Sequence, residues 1–547
     1  MRKIPPSALL LAALACGAAL RLWGISFGLP HTEARPDEST IIAMAIRFWK
    51  DGFRPISLIY PTLITYILAL VYGVSALFKG APEGVYRCLM DWYASSPAFF
   101  FLTARLMGAL AGTATVYVCW LAGREAAGET GSRRAAFFSS AFMALCYLHA
   151  RDSHFGALDA PMTFFIALSA YYCLKSLRTQ AGRDYLLAGI AAGLAAGTKY
   201  AGVLLVFPVL AAHIISVRDG KSPFLGRGPA LFTLGLAGAF MLTTPWLVLD
   251  PARTLADYRF HKSLHGFMSG GSWLYHIQFT LYRGLGAPLF FSALAGMILL
   301  LRENWRRGVV LFSFAAVYFL VLARTHSVYA RYGLPLLPFC CIAAGYFAAA
   351  AQKLRPAVWI ALFSLITLDS AAKIVKLDSL LAKEDSRALA MRGLDAKLPP
   401  SASICQTGTD YTNLQFNWDK KYLAFRADEA DRAGALIRAE LYRAKLRRAC
   451  GSRVPVYYDG KTRAFASYDG KKSLPPDYII SPVPPFGGGI PQGLKPWLSR
   501  DYEPFAVYKA FSGGNIYDET DAFFVPFGWF SGVRMPGPDI YVFKRKT

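Results

Sequence analysis

Residues 184–217 read DYLLAGIAAGLAAGTKYAGVLLVFPVLAAHIISV. After Asp184 at its start, the one formally charged side chain in this stretch is Lys199. A membrane-spanning helix needs about 20 mostly apolar residues. Two such runs meeting at a lysine predict two helices in a membrane. Working outward, further apolar runs cover 7–28, 58–79, 99–122, 135–150, 159–174, 229–248, 287–301, 308–323, 333–351 and 356–373. Beyond Lys376 the pattern becomes an ordinary soluble mixture. The chain has 547 residues, 54% hydrophobic and 17% charged, where soluble domains carry about 25% charged residues. These features predict an α-helical polytopic membrane domain over residues 1–375. A soluble α/β or α+β domain then follows over residues 376–547.

The net charge is +24, but the basic residues form no single patch or stripe, so nucleic acid is not the expected partner. Many of them sit between apolar runs, where they set membrane orientation. The N-terminal stretch is basic and then apolar, like a signal peptide. However, Arg21, Leu22 and Trp23 stand where a small-residue cleavage site belongs, so it reads as a retained first helix. The nine cysteines show no metal-ligand spacing. Cys405 and Cys450 could pair in an oxidising compartment or remain two thiols.

Arg2 and Lys3 put the N-terminus inside. The other basic loops are 123–134, 175–183, 217–228, 302–307 and 353–355. They all fall on the same inner side if segment 58–79, with its Pro61 and Gly73, lies in the interface instead of crossing. About eleven crossings then remain, and the C-terminal domain lies outside. The outer loops collect the ionisable residues that orientation does not explain.

The first outer loop contains HTEARPDEST (31–40). Asp37 can cap a helix starting near Ser39, or one of Asp37 and Glu38 can act chemically while the other orients. A second cluster runs from Arg151 to Pro161. In it, Asp152 can pair with Arg151, His154 is a further candidate, and Asp159 is either a cap or a functional carboxylate. Ionisable groups at membrane depth are costly and are functional candidates by default. Lys199 offers a point charge for a phosphate, or snorkels to the interface. Arg324 and Arg331 face outward against the orientation rule, and guanidinium forks match phosphate oxygens. Surface pairing with Asp257 is the alternative. A divalent cation held by Asp37, Asp159 and nearby histidines is an open possibility. No Walker loop, HExxH or GxSxG occurs.

Taken in order, these pieces resemble the membrane glycosyltransferases of the C superfamily. The pieces are the Asp37–Glu38 pair, YPTLITY (60–66), a helix headed by Arg105, Leu-Asp-Ala-Pro (158–161), Gly-Thr-Lys-Tyr (197–200) and RYGLPLLP (331–338). Within that superfamily the chain looks most like bacterial relatives of the protein O-mannosyltransferases and of the lipid A aminoarabinose transferase. FFVPF (523–527) and RMPGP (534–538) look like the tails of some members. The resemblance implies a polyprenyl-phosphate-linked sugar donor, a protein or lipid/glycan acceptor, and transfer at the outer face of a bacterial inner membrane. It makes Asp37 the expected base, Asp159 a second acidic position, and Lys199, Arg324 and Arg331 the donor-phosphate ligands. One departure is Arg35, which could pair with and lower the basicity of a neighbouring carboxylate. A transporter or flippase of an anionic lipid would use the same basic residues but should show internal repeats, and none is evident. A partner-binding assembly module is the remaining reading.

Overall fold

A computed structural model describes residues 5–128, 132–265, 272–325, 328–351, 355–448, 450–521 and 523–546. Arg2, Lys3, Lys353 and Leu354, used above for orientation, lie outside the described residues, as do residues 129–131 of the 123–134 loop. Every apolar run becomes helical: Pro6–Leu22, Leu63–Phe78, Ala98–Ala127, Ser132–Ala144, Asp159–Thr179, Gly182–Thr198, Val206–Arg218, Arg227–Thr243, Ala287–Glu303, Trp305–Leu322, Leu337–Ala350 and Pro356–Leu381. In apolar surroundings an unpaired backbone N–H or C=O costs several kcal/mol, which leaves the helix as the outcome for such runs.

Among the described residues, five helical segments are long and apolar enough to cross a membrane. They become six if the pair Trp273–Arg283 and Ala287–Glu303, bent by 107°, counts as one broken span. Pro6–Leu22 and Leu63–Phe78 are shorter apolar helices.

Two compact units divide the chain. The first contains residues 1–23, 54–67 and 104–376. Its tightest seam joins Gly182–Thr198 to Arg227–Thr243. Gly189, Gly193 and Gly197 fall four apart on one face, and a Cβ at Gly189 would lie 2.1 Å from the Phe232 carbonyl oxygen. Small residues at this spacing let helix backbones touch, which is how membrane helices associate without a hydrophobic driving force. Arg21 is fully buried here. It donates to the carbonyl oxygens of Gly17, Ala144 and Met143 and meets His149 Nδ1 at 3.1 Å.

The second unit contains residues 24–53, 68–103 and 377–547. The C-terminal segment thus joins with residues 24–53 and 68–103. Its centre is a six-stranded mixed sheet built from β1 (Ser403–Gln406), β2 (Val454–Asp459), β3 (Ala464–Ser467), β4 (Tyr478–Val483), β5 (Tyr502–Tyr508) and β6 (Asp539–Arg545), in the order β3-β2-β1-β4-β6-β5. Strand β1 runs parallel to β2 and β4, and the remaining pairs are antiparallel. The crossover from β1 to β2 passes through helices Lys420–Arg432 and Leu436–Arg448. Asp419 caps the first of these by accepting from the Tyr422 N–H at 2.9 Å. One face buries Ile404, Ile480, Ile540 and Val542. The other buries Cys405, Val456, Phe465 and Ile479. Cys405 and Cys450 are both free thiols; the register of β1 turns Cys405 into the sheet core.

Candidate active site

In the first unit, three of the expected site residues come together at breaks in helices. Asp159 opens the helix Asp159–Thr179. Lys199 is an extended residue between the helix Gly182–Thr198 and a 3-10 turn, Tyr200–Leu205. Arg331 lies in a second 3-10 turn, Ala330–Leu336, which contains Pro335 and leads into Leu337–Ala350. The turns exist because the chain doubles back closely. A Cβ at Gly202 would sit 2.2 Å from the Ala196 nitrogen, and one at Gly333 would sit 2.2 Å from Thr280 Cγ2.

Lys199 Nζ donates to Asp159 Oδ1 at 2.6 Å and lies 5.1 Å from the centre of the Tyr332 ring. Asp159 makes no capping bond at its own helix start, so its carboxylate holds the lysine. The Arg331 guanidinium lies 4.7 Å over Tyr329 and 5.8 Å over Tyr332. The Tyr318 hydroxyl donates to the Tyr332 carbonyl at 2.7 Å. Residues 54–62 are pinned in the same unit. The Tyr200 hydroxyl donates to the Leu58 carbonyl, the Leu58 N–H donates to Asp257, and Arg54 pairs with Asp250. Asp257 is thus engaged by the Leu58 backbone. The result is a lysine and an arginine held over tyrosine rings, a geometry suited to an anionic oxygen cluster.

The other candidates of this unit have different surroundings. Asp152 pairs with Arg151 at 3.2 Å, both buried. His154 is buried, with one ring nitrogen 2.9 Å from the Ala150 carbonyl oxygen and the other 3.0 Å from that of Trp23. Both are thus buried and held by neighbours in the unit. Arg324 is exposed, and among the described residues no side-chain hydrogen bond or ion pair ties it to Asp159, Lys199 or Arg331.

In the second unit, Asp37 precedes the helix Glu38–Arg47 with φ 73° and ψ −21°, in the left-handed region, and its side chain makes no capping bond. The capping role expected from sequence is therefore not the one this carboxylate plays. A non-glycine residue in this region is uncommon, with Asp and Asn the usual exceptions, and such strain gathers at functional sites. Asp37 is half-buried, whereas Glu38 is fully buried with Tyr72 and Tyr93 within electrostatic reach.

The C-terminal segment pins the loop that carries them. Arg35 donates to Asp521 at 2.5 Å and lies 5.5 Å from the Phe523 ring, and Phe27 meets Phe523 edge-on. The FFVPF stretch singled out in the sequence thus serves as the seat of this loop. His31 Nε2 donates to the Asn413 carbonyl at 2.9 Å, and Nδ1 accepts from the Glu33 N–H. Burial, reinforced by the Arg387 charge, depresses the His31 pKa to about 3, so the imidazole is neutral. Thr32 and Gln415 exchange two hydrogen bonds.

Sequence reasoning missed Glu33. Ser39 donates to its Oε2 at 3.1 Å, and burial raises its pKa to about 7. Its partners Asp410, Arg438 and Lys445 come from far along the chain, so nothing local announced it. Among the described residues no group of three His, Cys, Asp or Glu is gathered that could hold a metal ion.

Residues 99–249 match the family model described as dolichyl-phosphate-mannose-protein mannosyltransferase. No curated protein sequence matches the chain at a significant level. Among solved structures, the chain is similar to ArnT from Cupriavidus metallidurans in the apo state. The TM-score is 0.53 at 14% identity, covering 98% of each chain. It is also similar to the same protein bound to undecaprenyl phosphate, with TM-score 0.51 and 14% identity over 98% of this chain and 97% of that one. The chain thus shares its fold with the ArnT structures, and its residues 99–249 match the model of a dolichyl-phosphate-mannose-protein mannosyltransferase family.

Proposed function

We propose that the chain transfers a glycosyl group from a polyprenyl-phosphate carrier to a hydroxyl or amine of a protein or lipid/glycan acceptor at the outer membrane face. The observation that carries this reading is the Lys199 and Arg331 pair of cations over Tyr332, steadied by Asp159. Support comes from the mannosyltransferase match and from the fold shared with an ArnT structure that contains undecaprenyl phosphate. In a single displacement, the acceptor oxygen or nitrogen bonds to the anomeric carbon while the bond from that carbon to the phosphate oxygen breaks. The acceptor proton goes to a carboxylate, and the leaving electron pair stays on the lipid phosphate. Preorganised cations favour that step because charge grows on the phosphate in the transition state. A phosphate leaving group needs little protonation, so one base suffices.

Asp37 is the base in this reading, because its carboxylate is half-buried and uncommitted to capping, whereas Glu38 is sealed from solvent. Glu38 then orients the loop. Direct displacement inverts the anomeric configuration. The test is transfer of radiolabelled sugar from a synthetic polyprenyl-phosphate donor by the full chain in detergent. With no membrane barrier present, an enzyme turns over and a flippase has nothing to do. Absence of transfer across a panel of donor sugars, combined with lipid translocation in vesicles, would reject the reading.

A further inference from the structure

Helix Leu63–Phe78 has flanks that meet the same partner. On one side, Lys50 pairs with Glu440 at 2.6 Å. On the other, Asp91 accepts from Arg447 at 2.6 Å and from Arg448 at 3.1 Å. Glu440, Arg447 and Arg448 all belong to helix Leu436–Arg448. The chain therefore returns to the side it left. With 16 residues, the helix is about 24 Å long at 1.5 Å per residue, short of a hydrocarbon core of about 30 Å. Such a helix lies in the interface. It exposes Leu70, Val71, Val74, Leu77 and Phe78, a stripe at helical spacing that runs toward Lys79.

At the end of that stripe is a cleft of about 340 Å³ between the 79–84 turn, helix Val85–Ser95 and the end of helix Leu436–Arg448. Lys79, Arg87 and Arg448 line it together with Trp92. Lys79 Nζ sits 4.1 Å from the Trp92 ring centre and has no acidic partner among the described residues. The two acids of the cleft are already answered, Glu83 by Arg87 and Asp91 by Arg447 and Arg448. A surplus of positive charge thus lies beside an apolar stripe.

We propose that this cleft binds the phosphate headgroup of an anionic phospholipid whose acyl chains lie along the Leu70–Phe78 stripe. Basic residues next to an interfacial apolar helix act together, the cations drawing the headgroup and the stripe burying the chains. The site is separate from the proposed chemistry, and it fixes the depth of helix Leu63–Phe78 in the bilayer.

The test uses the full chain in detergent with a photoactivatable phosphatidylglycerol, followed by peptide mapping. We expect crosslinks within residues 70–95. Unlabelled phosphatidylglycerol should compete, while phosphatidylcholine and inorganic phosphate should not. Each of Lys79→Ala and Arg87→Ala should weaken labelling about fivefold, the equivalent of about 1 kcal/mol per basic residue near the surface, and Lys79→Arg should restore it. Equal competition by phosphatidylcholine would overturn the proposal. So would displacement by millimolar inorganic phosphate, which would indicate a free-anion site, or unchanged labelling in the double alanine variant.

Discussion

Arg35 and Asp521, 486 positions apart, share a 2.5 Å ion pair with both side chains buried. The loop that carries Asp37 is therefore held by the end of the chain. Removing one member of a buried pair typically costs about 3–5 kcal/mol, because the other charge is left in a low dielectric. We expect Asp521→Ala to lower thermal stability by that order. A chain ending after Lys376 should lose transfer altogether, since it also lacks Asn413 and Gln415. Full activity in the truncated chain would reduce the C-terminal domain to an accessory.

Three substitutions at Asp37 separate backbone from chemistry. Asn and Gly tolerate φ 73°, whereas Ala should cost about 1–2 kcal/mol there. If Asp37 is the base, all three variants should lose about 10²–10⁴-fold in rate, and only Asp37→Ala should also melt earlier. Near-normal turnover by a folded Asp37→Asn enzyme would move the assignment to Glu38.

At the cation pair, Arg331→Lys keeps the charge but loses the flat guanidinium that lies over Tyr329 and Tyr332. Arg331→Ala should impair donor use more than Arg331→Lys. Asp159→Asn should act through Lys199, raising the donor KM while leaving acceptor KM unchanged. An unchanged donor KM in both Arg331→Ala and Asp159→Asn would exclude this cluster from donor binding.

Glu33 predicts a pH effect on stability. Its folded-state pKa is raised to about 7 from an ordinary value of 4.5, with burial the main cause. The fold therefore prefers the protonated acid. That preference is fully present below about pH 4.5 and is lost as pH rises through about 7. Glu33→Gln should melt above the wild type at pH 8 and match it at pH 4.5, with the neutral His31 common to both. Melting curves displaced equally at the two pH values would show that the carboxyl is not buried as described.

Topology has a direct readout. In a background lacking Cys16, Cys88 and Cys450, Gly84→Cys and Gly470→Cys should react with an impermeant thiol reagent from the same side. Arg133→Cys should react from the other. Gly52→Cys, which precedes helix Leu63–Phe78, should react from the same side as Gly84→Cys; reaction of positions 52 and 84 from opposite sides would show that this helix crosses the bilayer.

The membrane helices were legible because an apolar run has one way to satisfy its backbone. The cysteines of the C-terminal domain, its strand pairing and the helices within the first outer loop were less so, because their partners lie far along the chain. Arg35 illustrates the difference. Sequence proximity suggested a neighbouring carboxylate as its partner, and it pairs with Asp521. Asp159 and Lys199 are each legible as candidates, yet their pairing across 40 residues follows from the packing of helix Asp159–Thr179 against helix Gly182–Thr198. Glu33 lies within the HTEARPDEST stretch itself. What shifts it is burial, with smaller electrostatic contributions from Asp410, Arg438 and Lys445, all more than 370 positions away.

The long reach of Arg35 also has a consequence for biosynthesis. Translation proceeds at about 5–20 residues per second, so about 25–100 seconds separate the emergence of Arg35 from that of Asp521. Through that interval the nascent loop lacks the residues that will seat it. A ribosome that stalls within the later apolar helices leaves the loop without its anchor, exposed to quality-control proteases, so assembly of the Asp37 loop waits on synthesis of the segment around Asp521 and Phe523.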